Sequence, residues 1–212
     1  MQKFARPAVG ERRRRSRREA RKGGLKGTIF RLVRPQHRVQ EAIRDMTQAI
    51  TQAAVTSRTI AVEHIRISSE RPFAEIRRKL EDTVPKLDTG IADVLSTGDK
   101  KRAKDYEENG PKLSIFGERD HGALLQISGS RRNALQYDIG NPLTASTMTR
   151  HQLPAALYAP LRVVLFEDEQ GRGIFEYDKP SSFFGQYGDE RVTEVGRYLD
   201  ATLETVLRSA AE

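Results

Sequence analysis

The chain contains no cysteine. This absence excludes a disulfide framework, a cysteine-ligated zinc or iron–sulfur site and a catalytic thiol. Several enzyme classes therefore drop out before any motif is considered. The cellular compartment stays open, with the cytosol favoured.

Long apolar runs are missing as well. The longest apolar stretches fall far below the roughly 18–20 residues that a membrane-spanning helix needs. Residues 1–30 also lack the apolar core of a signal peptide. We therefore expect a soluble, cytoplasmic protein with no membrane partner.

Acidic residues are scarce only in the first part of the chain. Of the 212 residues, 37 are Lys or Arg and 29 are Asp or Glu. Residues 1–45 hold 15 basic and 4 acidic residues, whereas 46–212 hold 22 basic and 25 acidic residues. The length fits one domain plus an extension, and the positive charge belongs to the extension.

Residues 1–34 are predicted to be a disordered basic arm, because like charges repel and few residues there would build a core. Such an arm favours nucleic-acid association, since each arginine that neutralises a phosphate releases counterions. A basic run is also typical of nuclear localisation signals. The alternatives are a solvated tail without a selected role and a start placed too far upstream. The arginines concerned are Arg12, Arg13, Arg14, Arg15, Arg17 and Arg18.

Residues 35–55 are predicted to form an amphipathic helix or a linker. Apolar residues recur there at spacings of three and four, which is the period of one helix face. The apolar stripe is thin, so the helix would lie on the domain surface or on a partner. Its members are Val39, Ile43, Met46, Ile50 and Ala53.

Residues 56–212 are predicted to form a single α+β domain. The β-branched stretch Thr59–Ser68 predicts a first strand, and Ser69 is expected to cap the helix that follows. Residues 88–109 then indicate two short polar helical pieces that are broken at Gly98.

Short strands separated by turn residues come next. Gly171 suits the turn of the last hairpin, residues 140–152 are interpreted as a loop with one weak helical turn, and Asp189 is expected to cap a long final helix. The pattern predicts an antiparallel sheet with helices on one face and the other face exposed or paired with a second subunit. The predicted strands are Lys112–Gly117, Gly122–Ser128, Ala134–Ile139, Leu161–Glu167 and Gly173–Tyr177.

Four blocks in the second half of the chain carry a family signature: Tyr137–Thr144 (YDIGNPLT), Thr149–His151 (TRH), Leu157–Val163 (LYAPLRV) and Phe175–Ser182 (FEYDKPSS). Together they resemble the domain-of-unknown-function family 302 over roughly residues 59–210. The resemblance implies a β-α-β(4)-α arrangement of the TATA-binding-protein-like or helix-grip class, and small homodimers. These motifs identify a family, and they do not identify a chemistry.

The preferred candidate site combines Arg150 and His151 with Asp138 and Asn141. If the loop of residues 140–152 folds over the sheet, these side chains would converge on an anionic or carbonyl-bearing ligand, with Arg150 as a bidentate anchor. The alternative is that Asn141 belongs to a turn, Asp138 accepts hydrogen bonds from loop N–H groups and Arg150 pairs with an acid.

An aromatic loop follows the last hairpin. Phe183, Phe184 and Tyr187 would act as a lid over an apolar pocket between the sheet and the final helix. The alternative is a hydrophobic plug beneath a long loop, or a dimer contact.

Two secondary candidates are weighed against structural explanations. Asp120 would orient the imidazole of His121 for acid–base work, or it would simply close a turn. Arg162 and Glu176 lie near opposite positions of the last hairpin, so a cross-strand ion pair is the plainer explanation for both.

The sequence predicts no metal site and no cofactor. The four histidines show no ligand spacing, and no glycine-rich phosphate loop follows a strand. Catalysis is left open, with a binding role favoured, because no nucleophile, base and oxyanion arrangement can be recognised. The leading hypothesis is small-ligand binding between the sheet and the C-terminal helix. The rivals are nucleic-acid association through the arm and a homodimeric interaction module.

Overall fold

The computed structural model describes residues 54–212. The predicted basic arm, 1–34, and almost all of the predicted helix or linker, 35–55, lie outside these residues. Within the described part, Ser57–Glu212 form one compact unit. The described helices and strands all lie in this unit.

Strand β1 (His64–Pro72) leads directly into helix α1 (Phe73–Thr83). The strand begins and ends later than the predicted Thr59–Ser68. The predicted cap is wrong, because no side chain caps α1. The Ser69 hydroxyl instead donates a hydrogen bond to the carbonyl of Ala211, which ties β1 to the end of the last helix.

The two polar helical pieces are present as α2 (Gly90–Thr97) and α3 (Lys100–Asn109). The predicted break at Gly98 is confirmed, and this glycine has a φ of +69° that L side chains rarely adopt. The Asp99 carboxylate then accepts hydrogen bonds from two backbone N–H groups in the first turn of α3. A left-handed glycine followed by a capping aspartate therefore separates the two helices.

The sheet has five antiparallel strands in the order β1-β5-β4-β3-β2. Gly171, with a φ of +77°, provides the predicted turn of the last hairpin. The architecture is the predicted α+β class, and the order of the strands and the two long helices is β-α-β(4)-α. The remaining strands are β2 (Ser114–Asp120), β3 (Ala134–Gly140), β4 (Leu161–Glu167) and β5 (Arg172–Asp178).

The predicted strand over 122–128 is wrong. This segment forms α4 (His121–Leu124) and a 3₁₀ helix (Leu125–Ser128). The Asp120 carboxylate accepts a hydrogen bond from the Ala123 N–H at 2.8 Å, which starts a helix where the strand pattern would have continued. An apolar run of this length does not by itself distinguish a strand from a short helix.

Residues 140–152 hold more helix than one weak turn. Helix α5 (Pro142–Thr149) begins directly after β3, and a 3₁₀ helix (Leu153–Tyr158) follows it. Half of the eight residues of α5 are Ser or Thr, which are poorer helix formers than Ala or Leu. The sequence signal was therefore weak although the helix is present.

The aromatic loop contains α6 (Pro180–Phe184) and precedes the long α7 (Glu190–Ala211). The predicted cap of α7 is confirmed, since the Asp189 carboxylate accepts a hydrogen bond from the Arg191 N–H at 3.1 Å. None of the helices between residues 54 and 212 is both long and apolar enough to cross a bilayer.

Helices α1 and α7 pack on one face of the sheet, as predicted. Their apolar stripes meet the inward side chains of the central strands, and burial of these side chains is the main stabilising contribution to the fold. The opposite face carries charged side chains. Fully buried members of the core include Ile76, Leu80, Tyr137, Val163, Phe175, Leu203 and Leu207.

Candidate functional site

Asn141 fixes the start of α5. Its Oδ1 accepts hydrogen bonds from the N–H groups of Leu143 and Thr144 at 2.9 and 3.1 Å. Its Nδ2 donates to the carbonyl of Pro111 at 2.9 Å. The side chain therefore caps the helix and ties it to the segment that precedes β2. Asn141 also lines two cavities, one on each side of the start of α5.

The first of these, which we name the α5 cavity, lies between the ends of β3 and β4, helix α5 and Leu199 of α7. Its volume is about 270 Å³, close to the lower end of the ~300–1,000 Å³ typical of small-molecule pockets. None of the described residues that line it is charged. They are Phe116, Gly140, Asn141, Pro142, Thr144, Ala145, Ser146, Met148, Thr149, Ala159, Pro160, Leu161 and Leu199.

Gly140 keeps part of this cavity open. A Cβ at this position would lie 3.4 Å from the Cβ of Pro160 and 3.6 Å from Cε2 of Phe116. The absence of a side chain therefore preserves the gap between the proline and the phenylalanine ring. Phe116 is 38% exposed, which places its ring at the edge of the cavity and not in the core.

The hydroxyl groups at the cavity differ in their hydrogen bonding. The Ser146 hydroxyl donates to the Leu143 carbonyl at 2.7 Å, and the Thr149 hydroxyl donates to the Ala145 carbonyl at 3.1 Å. For the hydroxyl of Thr144, the structure records no hydrogen bond to another described residue. The Thr144 hydroxyl is therefore available to donate a hydrogen bond to a ligand or to accept one from it.

The second cavity, which we name the α5 cleft, lies on the other side of Asn141 and Thr144. Its volume is about 440 Å³, and unlike the α5 cavity it contains charged side chains. Nη2 of Arg191 lies 2.7 Å from Oδ2 of Asp189. The hydrogen bonds that Arg191 donates to this carboxylate lower the pKa of Asp189 to about 2. The lining residues are Glu107, Gly110, Pro111, Lys112, Asn141, Leu143, Thr144, Thr147, Arg191, Glu194, Val195 and Tyr198.

Arg150 and His151 do not meet Asn141. They follow the last residue of α5 and are exposed, whereas Asn141 precedes its first residue. The eight residues of α5 separate Asn141 from Arg150, and nine steps along the helix at ~1.5 Å per residue amount to about 13 Å. The Arg150 Nε donates to the Ser146 carbonyl at 3.3 Å. The predicted convergence on one ligand is therefore wrong.

Asp138 also lies away from both cavities. It is on the outer face of the sheet, where its carboxylate pairs with Nη1 of Arg119 at 2.8 Å. The α5 cavity is lined from Gly140 onwards, at the end of the strand, so Asp138 does not border it.

The predicted lid is a hydrophobic plug. Phe183 and Phe184 are 6% and 0% exposed, with ring centres 4.7 Å apart, and Tyr158 stacks on Phe183 at 4.8 Å. The Tyr187 hydroxyl donates to the Pro154 carbonyl at 2.8 Å. These contacts hold α6 against the 3₁₀ helix of residues 153–158.

The secondary candidates have structural roles. Asp120 caps α4 and makes no recorded hydrogen bond to the exposed His121. The predicted pair of Arg162 with Glu176 is wrong, because the β4–β5 register places Val164 opposite Glu176.

Glu176 instead pairs with Arg66 of β1. Its Oε1 lies 2.7 Å from Nη1 of Arg66, and its Oε2 lies 3.5 Å from Nε2 of His64. Arg162 stands opposite Asp138 in the β3–β4 register. The observed register therefore differs by two residues from one that would place Arg162 opposite Glu176.

The residues that sequence reasoning missed are the apolar ones of the α5 cavity. Ala145 and Met148 lie in the segment predicted to be a loop with one weak helical turn, and Leu199 lies in the final helix. Gly140 next to Asn141 and Pro142 was the one available signal, since glycine marks a close approach of neighbouring groups. Among the described residues, no group of three or more His, Asp or Glu is placed to hold a metal ion.

Comparison with known proteins finds a family model and a solved structure that are similar to this chain. Residues 107–210 match the family model "Domain of unknown function DUF302". The structure is similar to the crystal structure of an uncharacterized conserved DUF302 protein from Bacillus stearothermophilus. That similarity has a TM-score of 0.51 and 14% sequence identity, and covers 70% of this chain and 98% of the other.

At this level of identity the structural similarity shows a shared fold. No protein of curated function matches the chain by sequence. The part of the chain that runs from the last turn of α3 to the last turn of α7 matches the DUF302 family model.

Proposed function

We propose that the protein binds a small, uncharged and largely apolar molecule in the α5 cavity. The observation that carries the proposal is the cavity itself: about 270 Å³ of space under α5, without a charged lining residue among those described. Apolar walls contributed by Met148, Leu161 and Leu199 would gain free energy when a ligand displaces water from them.

The selectivity for neutral ligands follows from the lining. A charged group that enters the cavity would leave water without gaining a charged partner, which is strongly unfavourable. The Thr144 hydroxyl would accept from or donate to a single hydroxyl or carbonyl group of the ligand. The ligand class is therefore a compact apolar molecule that carries one neutral polar group.

The test uses 2-naphthol as a neutral probe and naphthalene-2-sulfonate as its charged counterpart. We expect calorimetry to show saturable binding of 2-naphthol and at least about tenfold weaker binding of the sulfonate, a difference of ~1.4 kcal/mol. Ala145→Leu fills the cavity and should weaken 2-naphthol binding by about tenfold or more.

Ala156→Leu is the matched control, because Ala156 is exposed and does not line the cavity. It adds the same atoms and should leave the affinity for 2-naphthol unchanged. Thermal melting of both variants separates loss of the site from loss of the fold. Equal binding of the two probes, or unchanged binding by Ala145→Leu, would contradict the proposal.

A further inference from the structure

The segment that follows α5 exposes two large aliphatic side chains to solvent. Leu153 is 78% exposed and Leu157 is 74% exposed. Large apolar side chains grouped on a surface mark an interaction site more often than a single exposed leucine does. We name the exposed residues of this segment, Arg150, His151, Leu153, Pro154, Ala156 and Leu157, the 150–157 ridge.

Contacts of the residues between the exposed ones anchor the ridge to the rest of the domain. Ala155 is fully buried, Tyr158 stacks on Phe183, and the Pro154 carbonyl accepts the hydrogen bond from Tyr187. The exposure of Leu153 and Leu157 is therefore built into an anchored 3₁₀ helix.

The ridge segment carries no acidic residue. Arg150 is its exposed cation, and no Asp or Glu occurs in the sequence between Asp138 and Glu167. The nearby Asp189 carboxylate is paired with Arg191. An apolar surface with an arginine at its edge and no acid in its own segment is complementary to a bilayer with anionic headgroups, which accepts apolar side chains beneath a negative surface.

The ridge continues into the wall of the α5 cavity. Its last residue, Leu157, is two positions before Ala159, and both Ala159 and Pro160 line the cavity. At the other end of the ridge, Arg150 directly follows Thr149, which also lines it. The exposed apolar surface and the apolar cavity are thus joined through the chain at both ends.

We propose that the 150–157 ridge docks on a lipid bilayer that contains anionic lipid, and that the α5 cavity exchanges its ligand with that bilayer. The second half rests on the proposed ligand binding. The ligand class then narrows to uncharged molecules that dissolve in membranes. A bilayer contact of this kind needs no spanning helix, since the side chains enter only the interfacial layer. The sequence-based expectation of no membrane partner rests on the lack of a spanning segment and of a signal-peptide core, and an interfacial contact requires neither.

The chain offers an internal control in a second exposed apolar group. Leu124 and Ile127, in and after α4, are 66% and 98% exposed. They precede β3, whereas the ridge lies beyond its other end, so the two groups are separated by the seven residues of the strand, or about 23 Å at ~3.3 Å per residue. Leu124 therefore serves as the comparison position, which the proposed contact does not include.

The experiment places a single tryptophan on each surface of the full chain, which has no natural tryptophan. Leu153→Trp and Leu124→Trp are mixed with vesicles of phosphatidylcholine containing phosphatidylglycerol, with and without brominated acyl chains. We expect the emission of Trp at position 153 to shift to the blue and to be quenched by bromine about twofold or more, because the ring enters the interface. Emission from position 124 should not change.

This readout separates insertion from attraction by the basic arm. Arg12 and its neighbours would hold the chain at an anionic surface whatever the ridge does, so co-sedimentation alone does not decide. In the Leu153→Trp background, Arg150→Glu should reduce the blue shift, and Arg131→Glu, an exposed arginine near α4, should not. An unshifted Trp at position 153 on vesicles that bind the protein, or equal shifts at both positions, overturns the docking.

Failure of this inference is distinguishable from failure of the ligand proposal. If 2-naphthol binds in solution and Trp at position 153 stays in water, the docking is wrong and the ligand proposal stands. If Trp at position 153 inserts and Ala145→Leu leaves 2-naphthol binding unchanged, the ridge docks but the cavity is not the ligand site. Capture of the ridge by a protein and not by vesicles would also overturn the inference.

Discussion

At the scale of single residues, the polar contacts around Tyr137 show how a buried side chain is satisfied. The Tyr137 hydroxyl donates to Oε1 of Glu81 at 2.8 Å, and Nε of Arg77 lies 2.9 Å from the same oxygen. Burial and this hydrogen bond raise the pKa of Tyr137. Burial alone would raise the pKa of Glu81, but the hydrogen bonds from Arg77 and Tyr137 outweigh it and the pKa is lowered. The tyrosine therefore stays a donor and the glutamate an acceptor.

Removing the Tyr137 hydroxyl should destabilise the folded protein. We expect Tyr137→Phe to lower the free energy of unfolding by about 1.5 kcal/mol, the lower end of the range for hydrogen bonds to charged groups, because Arg77 still holds Glu81. Urea denaturation measures the loss. Tyr198→Phe, at an exposed position of α7, should change the stability by less than about 0.5 kcal/mol. Similar losses in both variants would show that the Glu81 contact contributes nothing.

His64 predicts a pH dependence. The hydrogen bond to Asp178 at 2.9 Å raises the pKa of His64 above its ordinary 6.5, with a further contribution from Glu176. Because the folded pKa lies above the unfolded one, the stabilisation is fully present below pH 6.5 and is lost as the pH rises through the folded pKa. The effect is modest, since the side chain is mostly exposed.

Denaturation midpoints at about pH 6 and about pH 8.5 test this linkage. The wild type should lose more stability between these two pH values than His64→Gln. His121→Gln, for which the structure records no side-chain hydrogen bond, should behave as the wild type. A His64→Gln profile that is parallel to the wild-type profile would contradict the expected pKa shift.

At the scale of elements, turns and helix caps could be predicted from the sequence, and helix α5 could not. Gly98, Gly171 and Asp189 each act through the backbone next to them, so their roles follow from residue type and position. Helix α5 begins at the Asn141 cap, whose amide also donates to Pro111 in a distant segment. Its serines and threonines hide the helix signal. The site was therefore misplaced: the sequence predicts a loop with one weak helical turn over residues 140–152, although α5 separates Asn141 from Arg150 and His151.

Asn141 allows this account of α5 to be tested. Asn141→Ala removes the cap and the hydrogen bond to Pro111, and should lower the stability by about 1–2 kcal/mol. Asn141→Asp keeps an effective capping oxygen and loses only the donor, so its loss should be smaller. Denaturant unfolding measures both. If Asn141→Asp were as unstable as Asn141→Ala, the contact with Pro111 and not the cap would hold the helix.

At the scale of the whole molecule, the α+β class and the antiparallel sheet with helices on one face followed from the sequence, while the position of the cavity did not. Alternating strands and two apolar helix stripes leave few ways to bury a core. A cavity instead depends on where packing is incomplete, as at Gly140 beside Phe116 and Pro160, and no periodicity encodes that. Nucleic-acid association through the basic arm and homodimer formation remain predictions.

Binding of a neutral apolar molecule in the α5 cavity can be detected directly through the methyl group of Met148. The chain has three methionines, and Met148, which is 1% exposed, lines the cavity. In a spectrum of protein labelled at the methionine methyl groups, with Met148→Leu assigning the signal, 2-naphthol should move the Met148 resonance and leave those of Met1 and Met46 in place. A Met148 resonance that stays unmoved while 2-naphthol binding saturates would contradict the account.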